Sequence, residues 1–404
     1  NTYLEYDGNI DSKGKLQGNL YIRGEGDPTL GSLEMEGVAP LDSLMTLWAN
    51  EIKRKGIKKI SGDIIADDSY LDYMPVPKGW SWESMGNYYA AGTSGLCIHE
   101  NLYYLFFQPA KKVGKPASVI RTEPYIPGIK FINHMKTGKK GSGDNGYIYG
   151  APWQWLQQLE GTIPAGVKEF SIKGALPDPA KFTAQYLKKE FEKTGISVQG
   201  LPLKIQETKK QQSKRKLLYT HSSPHLKEIV YHLNKRSVNL YAEQLLKLLG
   251  KKIKGQGTLE SGLDVITAWL QENNISDDGL FLLDGSGLSR ANAVTTKFFV
   301  ELLEGMSNKP TFNTFYNSFP IAGDPDDNGT MRHLCKGSVA AKKLRAKTGG
   351  HNRVRAHTGY VYLKSGDLIC FSMIANNYSG TDRTIDKLHE KIMIELAALG
   401  SIQK

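Results

Sequence analysis

The spacing of apolar positions divides the chain into stretches of different period. Thr2 to Tyr6 and Leu16 to Arg23 read as strands, the second running into Gly24-Glu25-Gly26-Asp27-Pro28, a tight turn built from two glycines and an X-Pro step. Leu41 to Lys55 carries a helical stripe through Leu44, Leu47, Trp48 and Ile52 and ends near Gly56; Ile57 to Ile60 and a strand over Asp63 to Ala66 follow. Helix and strands at this spacing predict a small α/β unit. From about Cys97 to Ile172 the pattern changes to short β-like runs punctuated by Pro, Gly and Lys: Leu102 to Gln108, Ala117 to Thr122, Lys130 to Ile132 and Gly146 to Tyr149. A small all-β insertion is expected there. Helical spacing returns over Asp178 to Thr194, with Phe182, Tyr186, Leu187 and Phe191 on one face, and Gly195 to Val198 resembles a return to the α/β unit.

The polar, Gln-rich stretch 205–216 reads as a linker, and beyond it helix dominates. Ser223-Pro224 is a start signal, a capping residue with Pro at the first helical position, followed by Leu226, Ile229, Val230 and Leu233 at helical spacing. A second helix runs from about Asn239 to a stop at Gly250, and further helices cover about 258–272, 294–306 and 382–398, the last striped by Ile385, Leu388, Ile392 and Leu396. Ahead of that closing helix, Ala356 to Leu363 and Leu368 to Ala375 flank the turn Lys364-Ser365-Gly366-Asp367 and predict a hairpin. The expected organisation is α/β and α+β multidomain. Residues 1–96 with 173–205 form the α/β part, its first residues belonging either to it or to the last part; 97–172 form the all-β part; 206–404 form a helix-rich part with an antiparallel sheet.

At 404 residues the chain is too long for one ordinary core, which agrees with two or three domains. The balance of 40% hydrophobic and 23% charged residues is that of a globular protein. No apolar run reaches the roughly eighteen residues of a membrane span, so any membrane association is peripheral at most. A net charge of +11 suits either a solvated basic surface or attraction to a polyanion. Lysines are scattered without a nucleic-acid-binding motif, so nucleic acid is not the expected partner; the densest cluster, Lys209-Lys210 with Lys214-Arg215-Lys216, falls in the linker. Cys97, Cys335 and Cys370 show no CxxC spacing and support no zinc site, and the sequence leaves a single disulfide open. Nothing in it specifies an oligomeric state.

The candidate chemistry centres on Arg345-Ala346-Lys347-Thr348-Gly349-Gly350, expected on or beside an edge strand of the antiparallel sheet. A cation, a hydroxyl and side-chain-free backbone in series suit the capture of a carboxylate next to a reacting carbonyl. About a hundred residues earlier, Ser237-Val238-Asn239 lies on a loop between two helices. S-x-N followed by K-T-G is the second half of the S-x-x-K, S-x-N, K-T-G set. Flanking runs sharpen the match: Gly26-Asp27-Pro28-Thr29-Leu30, Gly62-Asp63 with Asp67-Asp68-Ser69 and Asp72, Gly79-Trp80-Ser81-Trp82, Tyr88-Tyr89-Ala90-Ala91, Asn234 to Glu243, Asp284-Gly285-Ser286-Gly287-Leu288-Ser289 and Gly329-Thr330-Met331-Arg332. Together they resemble, over nearly the whole chain, the class C low-molecular-mass penicillin-binding proteins, the D-Ala-D-Ala carboxypeptidase/endopeptidase family.

The resemblance implies a penicillin-binding-protein/β-lactamase-like transpeptidase domain, helices beside a five-stranded antiparallel sheet, with two domains inserted ahead of Ser237. It implies an exported enzyme, in the periplasm or cell envelope, acting on peptidoglycan stem peptides through an acyl-enzyme, acylated by β-lactam antibiotics, and using no metal or organic cofactor. Ser237 would relay a proton to the leaving amine, Asn239 would hold the substrate amide and the first-motif lysine, and Lys347 and Thr348 would bind the terminal carboxylate. Gly349 keeps the strand flat, and Gly350 stands where a backbone N–H helps form the oxyanion hole, in place of the more usual Thr. Without the resemblance, Ser237 and Asn239 read as helix caps and Lys347 as a solvated strand-edge lysine.

The first motif is the departure. The only S-x-x-K, Ser213-Lys214-Arg215-Lys216, lies in the charged linker, without the buried helix end that desolvates the lysine, and is read as coincidence. The nucleophile and first-motif lysine are not in this sequence. Because the chain begins at Asn1 in strand-like text, the expectation is that a preceding segment carries them and that the 404-residue chain alone lacks covalent reactivity. The alternative is a non-catalytic peptidoglycan-binding relative without the serine. A β-lactamase is disfavoured, since the insertions suit large wall substrates. The pattern leaves open the choice between carboxypeptidase and endopeptidase and the stem-peptide residue recognised.

Overall fold

The computed structural model describes residues 1–208 and 214–400, so Lys209, Lys210 and Ser213 of the basic stretch lie outside the described residues. Two compact units are present, Asn1–Pro224 with Glu243–Gly262, and His225–Ala242 with Leu263–Lys404.

In the first unit a mixed five-stranded sheet runs in the order Pro202–Lys204, Ile64–Asp67, Leu20–Gly24, Thr2–Tyr6, Lys216–His221. The first three strands are parallel to one another, while Thr2–Tyr6 is antiparallel to both its neighbours. The strand expected over Leu16 to Arg23 is two strands, Lys15–Gln17 and Leu20–Gly24, belonging to different sheets. The break falls at Gly18, where a Cβ would lie 2.2 Å from the Asp7 carbonyl oxygen; the Asp7 carboxylate then takes the Asn19 N–H at 2.6 Å. The Leu41–Arg54 and Pro179–Thr194 helices bury Leu44, Trp48, Ile52, Phe182, Leu187 and Phe191. Leu47, expected on the buried stripe, is exposed; Met45 and Ala49 complete the inward face instead. Asp178 caps the second helix by accepting the Lys181 N–H at 3.0 Å, and Gly195 ends it in the left-handed conformation.

The β-rich stretch contains an antiparallel three-stranded sheet (Phe170–Ala175, Leu102–Gln108, Ser118–Glu123) and a four-stranded one centred on Leu156–Pro164. That central strand was not expected, because its text (Leu-Gln-Gln-Leu-Glu-Gly) is polar; Gln157 is nonetheless buried and accepts the Tyr103 hydroxyl at 2.7 Å. One buried cluster continues from Leu4, Leu20 and Trp48 through Tyr103, Met135 and Ile163 to Leu218. The end of the expected linker is likewise structured. Lys216–His221 pairs with Thr2–Tyr6, and Arg215 is mostly buried over the Tyr21 ring, its Nη1 2.6 Å from Asp67 and 3.4 Å from Glu5.

In the second unit an antiparallel sheet runs Leu344–His351, Val354–Tyr362, Leu368–Asn376, which places Lys347 to Gly350 on an edge strand. Three strands are present among the described residues where the resemblance implied five. The Leu226–Arg236, Thr296–Ser307, Phe312–Ser318 and Asp382–Ala398 helices accompany it. Buried around the sheet are Ala322, Met331, Cys335, Leu344, Ala346, Val361, Phe371 and Met393. Tyr360 packs edge-on against Phe312, Tyr316 and Phe319 while its hydroxyl donates to Leu303 O at 2.8 Å. The first of these helices starts at Leu226, not at Pro224, because Glu228 reaches back to accept the His225 N–H at 3.1 Å. All three cysteines are free thiols.

The stop expected at Gly250 is also displaced: that helix runs from Asn239 to Lys254. Gly250 is an interior residue, needed because a Cβ there would lie 2.8 Å from the Gly262 nitrogen, and one on Gly262 only 2.2 Å from the Leu246 carbonyl oxygen. Helix propensity alone would make Gly262→Ala stabilising by about 1 kcal/mol. The close approach reverses the sign, and we expect Gly262→Ala to destabilise by about 1–3 kcal/mol in denaturant unfolding. A raised unfolding midpoint would show that these two helices separate freely.

Candidate active site

Ser237 ends the Leu226–Arg236 helix by adopting the left-handed conformation (φ 58°, ψ 52°), its N–H still bonded to Leu233 O. For a residue with a Cβ this conformation costs about 1–2 kcal/mol that glycine would not. It therefore caps the preceding helix, not the following one, and it is exposed. Asn239 opens the next helix, and the Val238 carbonyl accepts the Tyr241 and Ala242 N–H groups.

Across 110 residues of sequence, Lys347 Nζ donates to Ser237 Oγ at 2.6 Å and to Thr348 O at 2.8 Å. Burial pushes the part-buried Lys347 ammonium down from 10.5 to about 8. Thr348 Oγ1 donates to Thr330 Oγ1 at 2.9 Å. Gly349 and Gly350 are exposed on the same strand; a Cβ on Gly349 would meet nothing nearer than Ala356 Cβ at 3.5 Å. The structure thus joins Ser237, Lys347 and Thr348 in one hydrogen-bonded array and puts Asn239 two residues along from Ser237.

Beneath this array lies a group that the pattern did not single out for a role. Lys235 is 1% exposed, and its Nζ lies 2.5 Å from Asp327 Oδ1. Asp327 Oδ2 accepts the Ile321 and Gly329 N–H groups at 3.0 and 3.1 Å, fixing the turn that carries Thr330. Desolvation lowers the Lys235 pKa, while the Asp327 carboxylate opposes the shift. Lys235 and Asp327 therefore tie the loop bearing Ser237 to the loop whose threonine meets Thr348. Neither was legible: Lys235 stands in a basic run, and Asp327 in Asp324-Pro325-Asp326-Asp327, which looks like a solvated turn. His351 Nε2 also bonds to Gly287 O at 3.1 Å, linking the strand to the Asp284–Ser289 run. Among the described residues no cluster of three or more His, Cys, Asp or Glu is placed to hold a metal, and no helix is long and apolar enough to cross a membrane.

An antiparallel sheet accompanied by helices carries this serine–lysine pair at its edge, and the fold is of the penicillin-binding-protein/β-lactamase-like class. The crystal structure of penicillin binding protein 4 from Haemophilus influenzae matches it with a TM-score of 0.81, over 98% of this chain and 86% of that one, at 23% identity. The same protein complexed with a β-lactam matches with a TM-score of 0.75. The chain belongs to the D-Ala-D-Ala carboxypeptidase 3 (S13) family, whose model matches residues 1–398. It is 30% identical over 384 residues to the D-alanyl-D-alanine carboxypeptidase of Actinomadura sp. (strain R39), covering 91% of this chain and 67% of that protein. It is 26% identical to the D-alanyl-D-alanine carboxypeptidase of Haemophilus influenzae, covering 94% and 76%.

Removing one partner of a buried ion pair strands the other charge. Asp327→Ala should lower stability by about 3–5 kcal/mol, whereas Lys235→Met combined with Asp327→Leu should recover only part of the loss, because the Ile321 and Gly329 N–H groups still lose their acceptor. Equal stability of Asp327→Ala and wild type in denaturant unfolding would show that Lys235 reaches water.

Proposed function

We propose that this site serves a serine-type D-Ala-D-Ala carboxypeptidase/endopeptidase that hydrolyses peptidoglycan stem peptides through an acyl-enzyme and is acylated by β-lactams. The observation that carries this reading is the 2.6 Å bond between Lys347 and Ser237, beside Thr348 on an exposed strand edge. Family membership and the β-lactam complex of the Haemophilus protein support it.

In the proposed reaction the peptide's terminal D-Ala lies along the Lys347–Gly350 edge. Lys347 supplies positive charge to its carboxylate and Thr348 a hydroxyl donor. The Gly350 N–H faces the carbonyl oxygen where negative charge develops. A serine outside this sequence attacks the penultimate carbonyl as its hydroxyl proton passes to the first-motif lysine, and the Ser237 hydroxyl gives a proton to the departing D-Ala nitrogen and takes one in return from the Lys347 side. Asn239 orients the substrate amide. Water then resolves the acyl-enzyme. The excess of positive charge suits work beside an anionic wall, outside the cytoplasm.

Lys347→Ala in the complete protein should slow acylation by a carboxylate-bearing β-lactam at least about a hundredfold, the loss of a charge-assisted bond of roughly 2–3 kcal/mol. Unchanged kinetics in a folded variant would remove Lys347 from the site. The pH dependence follows from its lowered pKa: the ammonium that holds the carboxylate is discharged as pH rises past about 8. KM for the peptide should therefore climb above that pH, and a KM flat to pH 10 would show that another group binds the carboxylate. Mass spectrometry of the 404-residue chain after penicillin treatment should find no adduct on Ser237. A stoichiometric one would make Ser237 the nucleophile.

A further inference from the structure

The edge strand has a gap at Gly350, and a guanidinium fills it. A Cβ on Gly350 would lie 2.1 Å from Nη1 of Arg355, the residue opposite it in the antiparallel register. Residues directly paired across a ladder project to one face, as do residues two apart along a strand. Arg355 therefore shares its face with Gly350 and Thr348. The far side of the guanidinium is held by the Asp382–Ala398 helix: Nη2 is 2.9 Å from Asp382 Oδ2, and Nε is 3.5 Å from Asp386 Oδ1. Asp382 is itself fixed by the Tyr378 hydroxyl at 2.5 Å. Nη1 has no hydrogen-bond partner among the described residues, and the side chain is 28% exposed. The arrangement is a clamped cation with one open donor edge.

We propose that Arg355 is a specificity-determining residue whose Nη1 donates to the substrate's C-terminal carboxylate beside Thr348, in the place of the hydroxyl that a threonine at position 350 would bring. This rests on the carboxylate-binding reading of the strand and extends it to a second donor. Residues two apart on a strand are roughly 6.5–7 Å apart. A carboxylate accepting one bond of about 2.8 Å on each oxygen bridges donors at about that separation. The planar fork lets the two aspartates take one edge of the guanidinium while a ligand takes another. Gly350 is what makes this available, since any side chain there would displace Nη1.

The test compares, in the complete protein, kcat/KM for a D-Ala-D-Ala-ended peptide with that for the same peptide amidated at its C-terminus. Arg355→Gln should reduce the acid-over-amide preference by about tenfold or more, and Arg355→Lys should restore part of it. Adding Gly350→Thr to Arg355→Gln should also restore part, because a hydroxyl then takes the vacated place. An unchanged preference in Arg355→Gln overturns the assignment. So does an equal loss on both peptides, which would make Arg355 a brace for the strand and not a ligand to the carboxylate. A wild-type protein indifferent to amidation sinks the carboxylate reading of the strand itself, and Arg355 with it.

Discussion

An ammonium group shut away from water must find an anion, and the Lys235–Asp327 pair is where this site meets that demand. Asp327 answers with both oxygens, one to the ammonium and the other to two backbone N–H groups, so that a side chain on a helix and a turn far away in sequence become one rigid piece. Ser237 follows Lys235 by two residues and Thr330 follows Asp327 by three. Each then meets the edge strand, Ser237 through Lys347 and Thr330 through Thr348. A buried ion pair adds little net stability compared with a well-packed apolar pair. Its value here is geometric: it fixes two loops that would otherwise be set only by their own turns.

Leu344 and Ala346 anchor the first half of the edge strand in the core, and the second half depends on that fixed support because its side chains contribute so little to packing. A Cβ on Gly349 would meet only Ala356 Cβ, at 3.5 Å, and Gly350 gives way to Arg355. An edge strand normally hides its unpaired backbone groups behind bulk or charge. This one leaves them accessible at Gly349 and Gly350, and its Lys347 is turned toward Ser237. The proposed reaction uses this edge to receive an extended peptide. The left-handed backbone at Ser237 belongs to the same economy: the chain bears the strain of a Cβ there and keeps a hydroxyl within 2.6 Å of the lysine.

Much of this was legible because the relevant signals are local. The hairpin after the Lys-Thr-Gly strand, the helices at Leu41–Arg54 and Pro179–Thr194, and the Ser237 loop between two helices all follow from periodicity and caps. What escaped the sequence was contact-dependent. Gly18 and Gly250 look like ordinary breakers, yet one marks a change of sheet and the other a close helix approach inside a continuous helix. The Leu156–Pro164 strand hides behind polar text, and its one buried glutamine, Gln157, is satisfied by a distant tyrosine. Lys235, Asp327 and Arg355 are charged residues in charged surroundings, and only the fold distinguishes a buried ion pair from a solvated one.

The lowered pKa of Lys347 makes the two tasks proposed for it compatible. To hold a carboxylate the side chain must be charged, and near neutral pH an ammonium titrating at about 8 is mostly so. To exchange a proton through Ser237 it must also release one at modest cost, which an unperturbed lysine, titrating more than two units higher, would not. Burial supplies this poise, because the ring of protein that desolvates the ammonium favours its neutral form. An arriving carboxylate works in the opposite sense and stabilises the charged form. Substrate would therefore tighten its own capture, while burial keeps the cost of giving up the proton, with the carboxylate still bound, below that of an exposed lysine.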